Sequence, residues 1–277
     1  MIDEKTLESA KHWCKVGAQW VDKGAHTTGI RYLDQAIAVF EEVKDLSWLT
    51  YARHQKLQAL RSREALEDAE RLADDVLRGY AALDDAYGKA LALSHSADCA
   101  GRLGRSDAAA ARLNLAAAVA ESAGHESLHA YILMQKGGTE LDQGCELAAV
   151  RDYRKAEAAF QRQNLHDDAA QSRCASAEVL ARLGERAEAI AMLEDTQSHF
   201  FTKKSYREAL RPLSLLKTLY EQAQLNEDRM RVQELIHFCG QYIIQGGDQR
   251  VHAAGESGGA NEPLREPSSR MRGPARP

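Results

Sequence analysis

Residues 180–193 read LARLGERAEAIAML. The stretch opens as the apolar end of one helix, turns at Gly184, and resumes with apolar and small residues at helical spacing. Glycine is the residue that adopts a left-handed cap without steric cost, so the spacing predicts two helices joined back to back. The joint recurs. Gly24, Gly104, Gly144 and Gly184 fall on one forty-residue comb, with Glu64 filling the gap. Five residues on, the comb gives Gly29, Ala69, Ala109, Ala149, Ala189 and Arg229. Seven further it gives Ala36, Val76, Ala116, Ala156, Thr196 and Ile236, and four beyond those Phe40, Tyr80, Ala120, Phe160, Phe200 and Gly240. Small residues stand where helices must approach closely, and a large one usually closes the second helix. Several columns in one register identify an internal repeat.

Each forty-residue unit therefore reads as two antiparallel helices, and six such pairs cover residues 5–245. That body contains only Pro212 and is rich in Ala, Leu, Glu, Arg and Gln, all good helix formers. No segment shows the β-branched alternation of a strand. The sixth pair breaks the columns with Arg229, Gln233 and Gly240, as a terminal capping repeat does. Residues 246–277 hold four of the five prolines, six of the nineteen glycines and almost no large apolar side chains. Such a segment cannot offset its ordering entropy, so a disordered tail is expected there.

The pattern resembles the tetratricopeptide repeat family over most of the chain. Trp13, Gly17 and Trp20 match the family's large–small–large spacing on a first helix. Gly29, Leu33 and Ala36, or Ala149, Tyr153 and Ala156, match the second. The usual family period is about 34 residues, so these units resemble the longer-helix variants found in bacterial regulators and scaffold proteins. Arg53 and Glu140 depart from the pattern at positions where an apolar residue is expected. The resemblance implies an all-α, right-handed superhelical solenoid whose first helices line an inner groove. Trp13 and Trp20 fall on packing columns and are expected in the core.

Composition limits the function. The net charge of −5 argues against a general nucleic-acid binder. No apolar run is long enough to span a bilayer, and the charged start MIDEKTLESAKHW has no secretory apolar stretch. Cys14, Cys99, Cys145, Cys174 and Cys239 are dispersed and odd in number, which fits reduced thiols in a cytoplasm. Phosphate loops, G-x-S-x-G and calcium spacings are absent, so no cofactor and no enzymatic activity is expected.

One motif suggests chemistry. HESLH (residues 125–129) fits the H-E-x-x-H pattern of zinc hydrolases, which needs both histidines on one helix. The register places Gly124 at a helix end and starts the next helix near Glu126, so His125 falls in a junction with Asp45, Asp85, Leu165 and Ser205. Ile132 and Gln135 stand where an extended motif would carry glycine and a third histidine. A weaker possibility brings His125 or His129 towards His166 and Asp167, although Asp167 and Asp168 also suit the start of a helix.

The expected function is a non-enzymatic scaffold or adaptor that binds a peptide or helix of a protein partner. Matched by register to the family's ligand-contacting positions, the inner face is formed by Tyr51, His54, Gln58 and Arg61 in repeat two and by Leu91, Ser94 and Asp98 in repeat three. Repeat four adds Tyr131, Met134 and Gly138; repeat five Gln171, Cys174, Glu178 and Arg182; repeat six Arg211, Ser214, Thr218 and Glu221. Aromatic and arginine anchors suit a protein partner. The lysine–asparagine clamp that the family uses for chaperone C-termini is missing: the matching columns hold His54/Gln58, Ser94/Asp98 and Cys174/Glu178 instead. The alternative is a ligand- or peptide-responsive sensor acting through a separate regulatory polypeptide.

Overall fold

The computed structural model describes residues 4–245; the expected tail, residues 246–277, lies outside the described residues. Twelve α-helices and no strand are formed among them. They are α1 (Glu4–Asp22), α2 (His26–Val43), α3 (Leu46–Ser62), α4 (Leu66–Ala82), α5 (Ala86–Arg102) and α6 (Ser106–Ser122). After these come α7 (Glu126–Asp142), α8 (Glu146–Arg162), α9 (His166–Arg182), α10 (Arg186–Thr202), α11 (Tyr206–Gln222) and α12 (Asn226–Ile244).

The repeat has a half-period that the glycine comb only hinted at. Every twentieth residue from 24 to 224 has positive φ: Gly24, Gly104, Gly124, Gly144 and Gly184, and also Lys44, Glu64, Asp84, Asn164, Lys204 and Gln224. Each closes the preceding helix in the same way. At the joint quoted above, the Gly184 N–H donates to the Ala181 carbonyl at 3.2 Å and the Glu185 N–H to the Leu180 carbonyl at 2.9 Å. That pair of bonds is the Schellman motif, which satisfies carbonyls a helix end would otherwise leave bare. Within each unit the linkers are so short that a helix folds back on the one before.

The described chain forms two compact units, one ending at Leu128 and the other beginning at His129. In the first, α1 to α6 pack consecutively, and in the second α8 to α12 do. Columns that the repeat predicts as small or apolar are the buried ones. Gly29, Ala69, Ala109, Ala149 and Ala189 are buried, as are Leu33, Ala73, Leu113, Tyr153 and Leu193. Phe40 stacks on Trp48 at 5.8 Å in the first unit, and Phe160 packs edge-on against Tyr131 at 5.6 Å in the second. Size is matched across the pair: a Cβ on Gly17 would lie 2.9 Å from the Leu33 side chain, and one on Gly137 2.7 Å from the Tyr153 ring. The two departures from the family pattern are neutralised locally. Arg53 pairs with Glu41 at 2.7 Å, and Glu140 with Lys136 at 3.3 Å.

One packing expectation fails. Trp13 is half-buried against the first unit's core, but Trp20 is 40% exposed. Its column is buried elsewhere, by Leu60, Ala100, Leu180 and Tyr220, because a second helix precedes each of those first helices. No helix precedes α1 among the described residues, so Trp20 faces outward under the Lys23 ammonium, 5.6 Å from its ring.

Candidate interaction surface

Within each unit the first helices of successive pairs touch: α1 with α3, α3 with α5, and α9 with α11. Successive second helices show no comparable contact among the described residues. First helices are thus the crowded side of each unit, and the outward columns of those that touch lie side by side.

In the first unit this crowding buries two of the residues expected to line the face. Tyr51 is buried with its ring edge-on to Trp48 at 5.8 Å, and His54 is fully buried. The His54 Nδ1 shares a hydrogen bond with the Tyr80 hydroxyl at 2.8 Å, and its Nε2 one with His95 Nδ1 at 3.0 Å. Burial, with the Arg61 charge adding to it, pushes the His54 ring down to about 3, and burial together with His54 and Arg61 pushes His95 well below its usual value. The two rings are therefore neutral, and His54 is a core residue rather than a ligand contact. Cys14, Ser94 and Cys174 in the same column are buried as well, whereas Met134 is half-buried and Ser214 exposed.

Gln58, Arg61 and Asp98 do reach the face and are half-buried there. Arg61 donates to Asp98 at 3.1 Å, while Arg102 donates to the Arg61 carbonyl at 3.2 Å and also pairs with Glu64. Arg102, which the sequence reasoning passed over, thus completes a network with two of the expected residues.

The second unit repeats this chemistry with different helices. Glu178 accepts from Arg211 at 2.8 Å and lies 3.5 Å from Arg182, while Gln171 is exposed and Tyr131 and Met134 are half-buried beside Phe160. Asp98–Arg102 and Glu178–Arg182 occupy the same columns two repeats apart. Burial pushes the Cys174 thiol up to about 11, against the opposing pull of Arg211, so it is neutral and a poor nucleophile.

A second-helix residue also arrives at this face. Tyr153 of α8 lays its ring on Gly137, and its hydroxyl comes 3.7 Å from where a Cβ on Gly138 would stand. Sequence reasoning had Gly138 on the face but placed Tyr153 only as a packing residue. The signal was the Gly137–Gly138 pair, because two glycines in a helix interior each cost about 1 kcal/mol relative to alanine and call for a reason.

HESLH does not assemble. His125 lies in the linker before α7, with its ring edge-on to Tyr87 at 5.3 Å, whereas His129 is inside the helix. His125 instead lines a cavity of about 260 Å³ with Tyr80, Asp84, Tyr87 and Gly88. Asp167 accepts from His199 and from Lys203, each at 2.7 Å. No cluster of three metal-ligating side chains occurs among the described residues.

Antiparallel pairs of this length, closed at each joint and stacked through small-residue columns, define the fold of tetratricopeptide-repeat proteins, and this chain has that fold. Among solved structures it is similar to the apo form of RapI, at 14% identity over 88% of this chain and 87% of that one, with a TM-score of 0.65. It is similar to BtubC from P. vanneervenii at 16% identity over 96% of each chain, TM-score 0.62. A signal-transduction ATPase from Pyrococcus horikoshii with a tetratricopeptide-repeat sensor matches at 12% identity and TM-score 0.75, over 91% of this chain but only 39% of its own length. No protein-family model matches the chain, and no curated protein does. No described helix is long and apolar enough to cross a membrane.

Proposed function

We propose that the chain is an interaction scaffold whose first-helix faces hold a peptide or helix of a protein partner. The observation that carries this reading is the makeup of those faces. The first unit's face carries an arginine already paired to a carboxylate, Arg61–Asp98; the second unit's carries another, Arg211–Glu178, together with half-buried Tyr131 and Met134. Pre-oriented guanidinium groups and half-buried apolar anchors lose little entropy on binding, which suits recognition of another polypeptide. A Rap protein complexed with Competence and Sporulation Factor has a similar fold, at 18% identity and TM-score 0.57, which supports a peptide-sized occupant.

A second reading, a ligand- or peptide-responsive sensor acting on a separate regulatory partner, draws support from the likeness to the repeat sensor of the Pyrococcus ATPase. The zinc-hydrolase reading is not taken up, because His125 and His129 do not share a helix.

The test is affinity capture from lysate with Tyr131→Ala and Arg182→Glu, against Arg71→Glu on a second helix, where the side chain is 79% exposed. Arg71 is a cleaner control than Arg151, which pairs with buried Asp152 at 3.1 Å. Loss of the partner with the first two variants and retention with the third is expected. The reverse pattern would move the site off the first-helix face.

A further inference from the structure

The second unit contains a polar group that its own packing leaves unused. Tyr153 is 7% exposed, and its hydroxyl makes no hydrogen bond among the described residues. The corresponding second-helix positions in repeats one, two, three and five are Leu33, Ala73, Leu113 and Leu193, all apolar and all buried; only the terminal repeat, with half-buried Gln233, departs. A leucine there ends inside the core, whereas the longer phenol runs past Gly137 and brings its oxygen out beside Gly138.

Gly138 itself is not demanded by the protein. The nearest atom to a Cβ built on it is the Tyr153 Oη at 3.7 Å, an ordinary contact, so alanine would fit. The chain thus accepts a helix-weakening residue at a half-buried place on the face, and the effect is to leave a notch next to an unpartnered hydroxyl. The charges acting on that hydroxyl are Arg211, then Glu178, Asp142 and Glu140. Glu178 is already paired with Arg211 and Arg182, and Glu140 with Lys136, so the place has no spare positive charge for an anionic ligand group and suits a neutral one. What the place offers is donors, from Tyr153 and Arg211, beside an acceptor, Glu178.

We propose that Gly138, the Tyr153 hydroxyl and the Glu178–Arg211 pair form a clamp for the main chain of an extended partner peptide. A peptide group is neutral, carries one donor and one acceptor, and needs a Cβ-free approach to come close to a helix. In an extended chain the N–H and C=O of one residue face the same side, so the carbonyl of one residue accepts from Tyr153 and Arg211 while the N–H of the same residue donates to Glu178. The clamp reads no side chain, so specificity comes from elsewhere on the face, with Tyr131 and Met134 as the apolar contacts. This inference rests on the scaffold reading above and adds to it the chemical group that is held and the atoms that hold it.

The experiment selects ligands from a random twelve-residue peptide display library on the immobilised full chain. Selected sequences are remade with both ends blocked and titrated against wild type, Tyr153→Phe, Gly138→Ala and Tyr131→Ala. Tyr153→Phe keeps the buried ring and should weaken binding about five- to ten-fold, the loss of one hydrogen bond. Gly138→Ala should weaken it about ten-fold or more while the melting temperature stays level or rises, an outcome that a purely structural glycine would not produce. N-methylation of one peptide position should abolish binding where alanine at that position does not. Affinities within two-fold of wild type for both Tyr153→Phe and Gly138→Ala, or binding that requires a free C-terminal carboxylate, overturn the clamp. If those peptides still depend on Tyr131, the scaffold reading survives without it; if no peptide is selected, or none responds to any of the three variants, both fall.

Discussion

Acid should loosen the first unit through His54. In the folded chain this ring is fully buried between Tyr80 and His95 and titrates at about 3, against 6.5 for the ordinary side chain. The unfolded chain therefore takes up a proton near pH 6.5 that the folded chain refuses, and stability falls as pH drops below 6.5 towards 3. Between pH 7.5 and pH 5.0, linkage with these two values gives a loss of about 2 kcal/mol from His54 alone. His95, depressed in the same direction, adds to the loss. In the second unit burial raises Asp168 to about 6, and this group works the other way: its penalty fades as pH falls through that value. The readout must therefore be local. All three tryptophans, Trp13, Trp20 and Trp48, lie in the first unit, so urea unfolding followed by tryptophan fluorescence reports on the His54 side. Wild type and His54→Gln are compared at the two pH values. Glutamine cannot titrate, so the variant should lose about 2 kcal/mol less than wild type on acidification. Equal losses, within about 0.5 kcal/mol, would refute the reasoning and mean that His54 is already open to water.

The remaining predictions address the joints and the core. Gly184→Ala forces a Cβ onto φ +88° and should cost about 1–2 kcal/mol, whereas Gln224→Gly at φ 57° should gain up to about 1 kcal/mol, both by chemical denaturation. Phe160→Ala removes a fully buried ring packed on Tyr131 and should cost about 3–5 kcal/mol, with amide exchange quickening first in α8 and α9. Gly137→Ala should destabilise the second unit, because its Cβ would sit 2.7 Å from the Tyr153 ring, in contrast to its neighbour Gly138→Ala; thermal melts of the two variants give opposite signs.

Much of the fold was legible because its determinants are local and repeated. A short linker with one left-handed residue makes consecutive helices antiparallel, and a small residue at a fixed offset makes them close. The comb from Gly24 to Gly184, and the columns through Gly29, Ala36 and Phe40, carried both signals in the sequence. The twenty-residue half-period was harder to see, because six of its left-handed positions are not glycine: Lys44 or Gln224 is turned by the Schellman bonds of its joint, not by its own preference.

What the sequence by itself determined, then, is the repeat, its glycine-marked joints and which columns are small. Tertiary structure alone decided what lies across each column. Trp20 shares a register with buried Leu60 and Leu180 but is not covered by a preceding helix among the described residues, while His54 shares one with exposed Ser214 yet is closed in by Tyr80 and His95. Tyr153 reads as a core residue until the room left by Gly137 carries its hydroxyl to the opposite helix face. Periodicity fixes a side chain's direction from its own helix. Its burial, charge state and reach depend on the neighbours that direction meets, and those come from other parts of the chain.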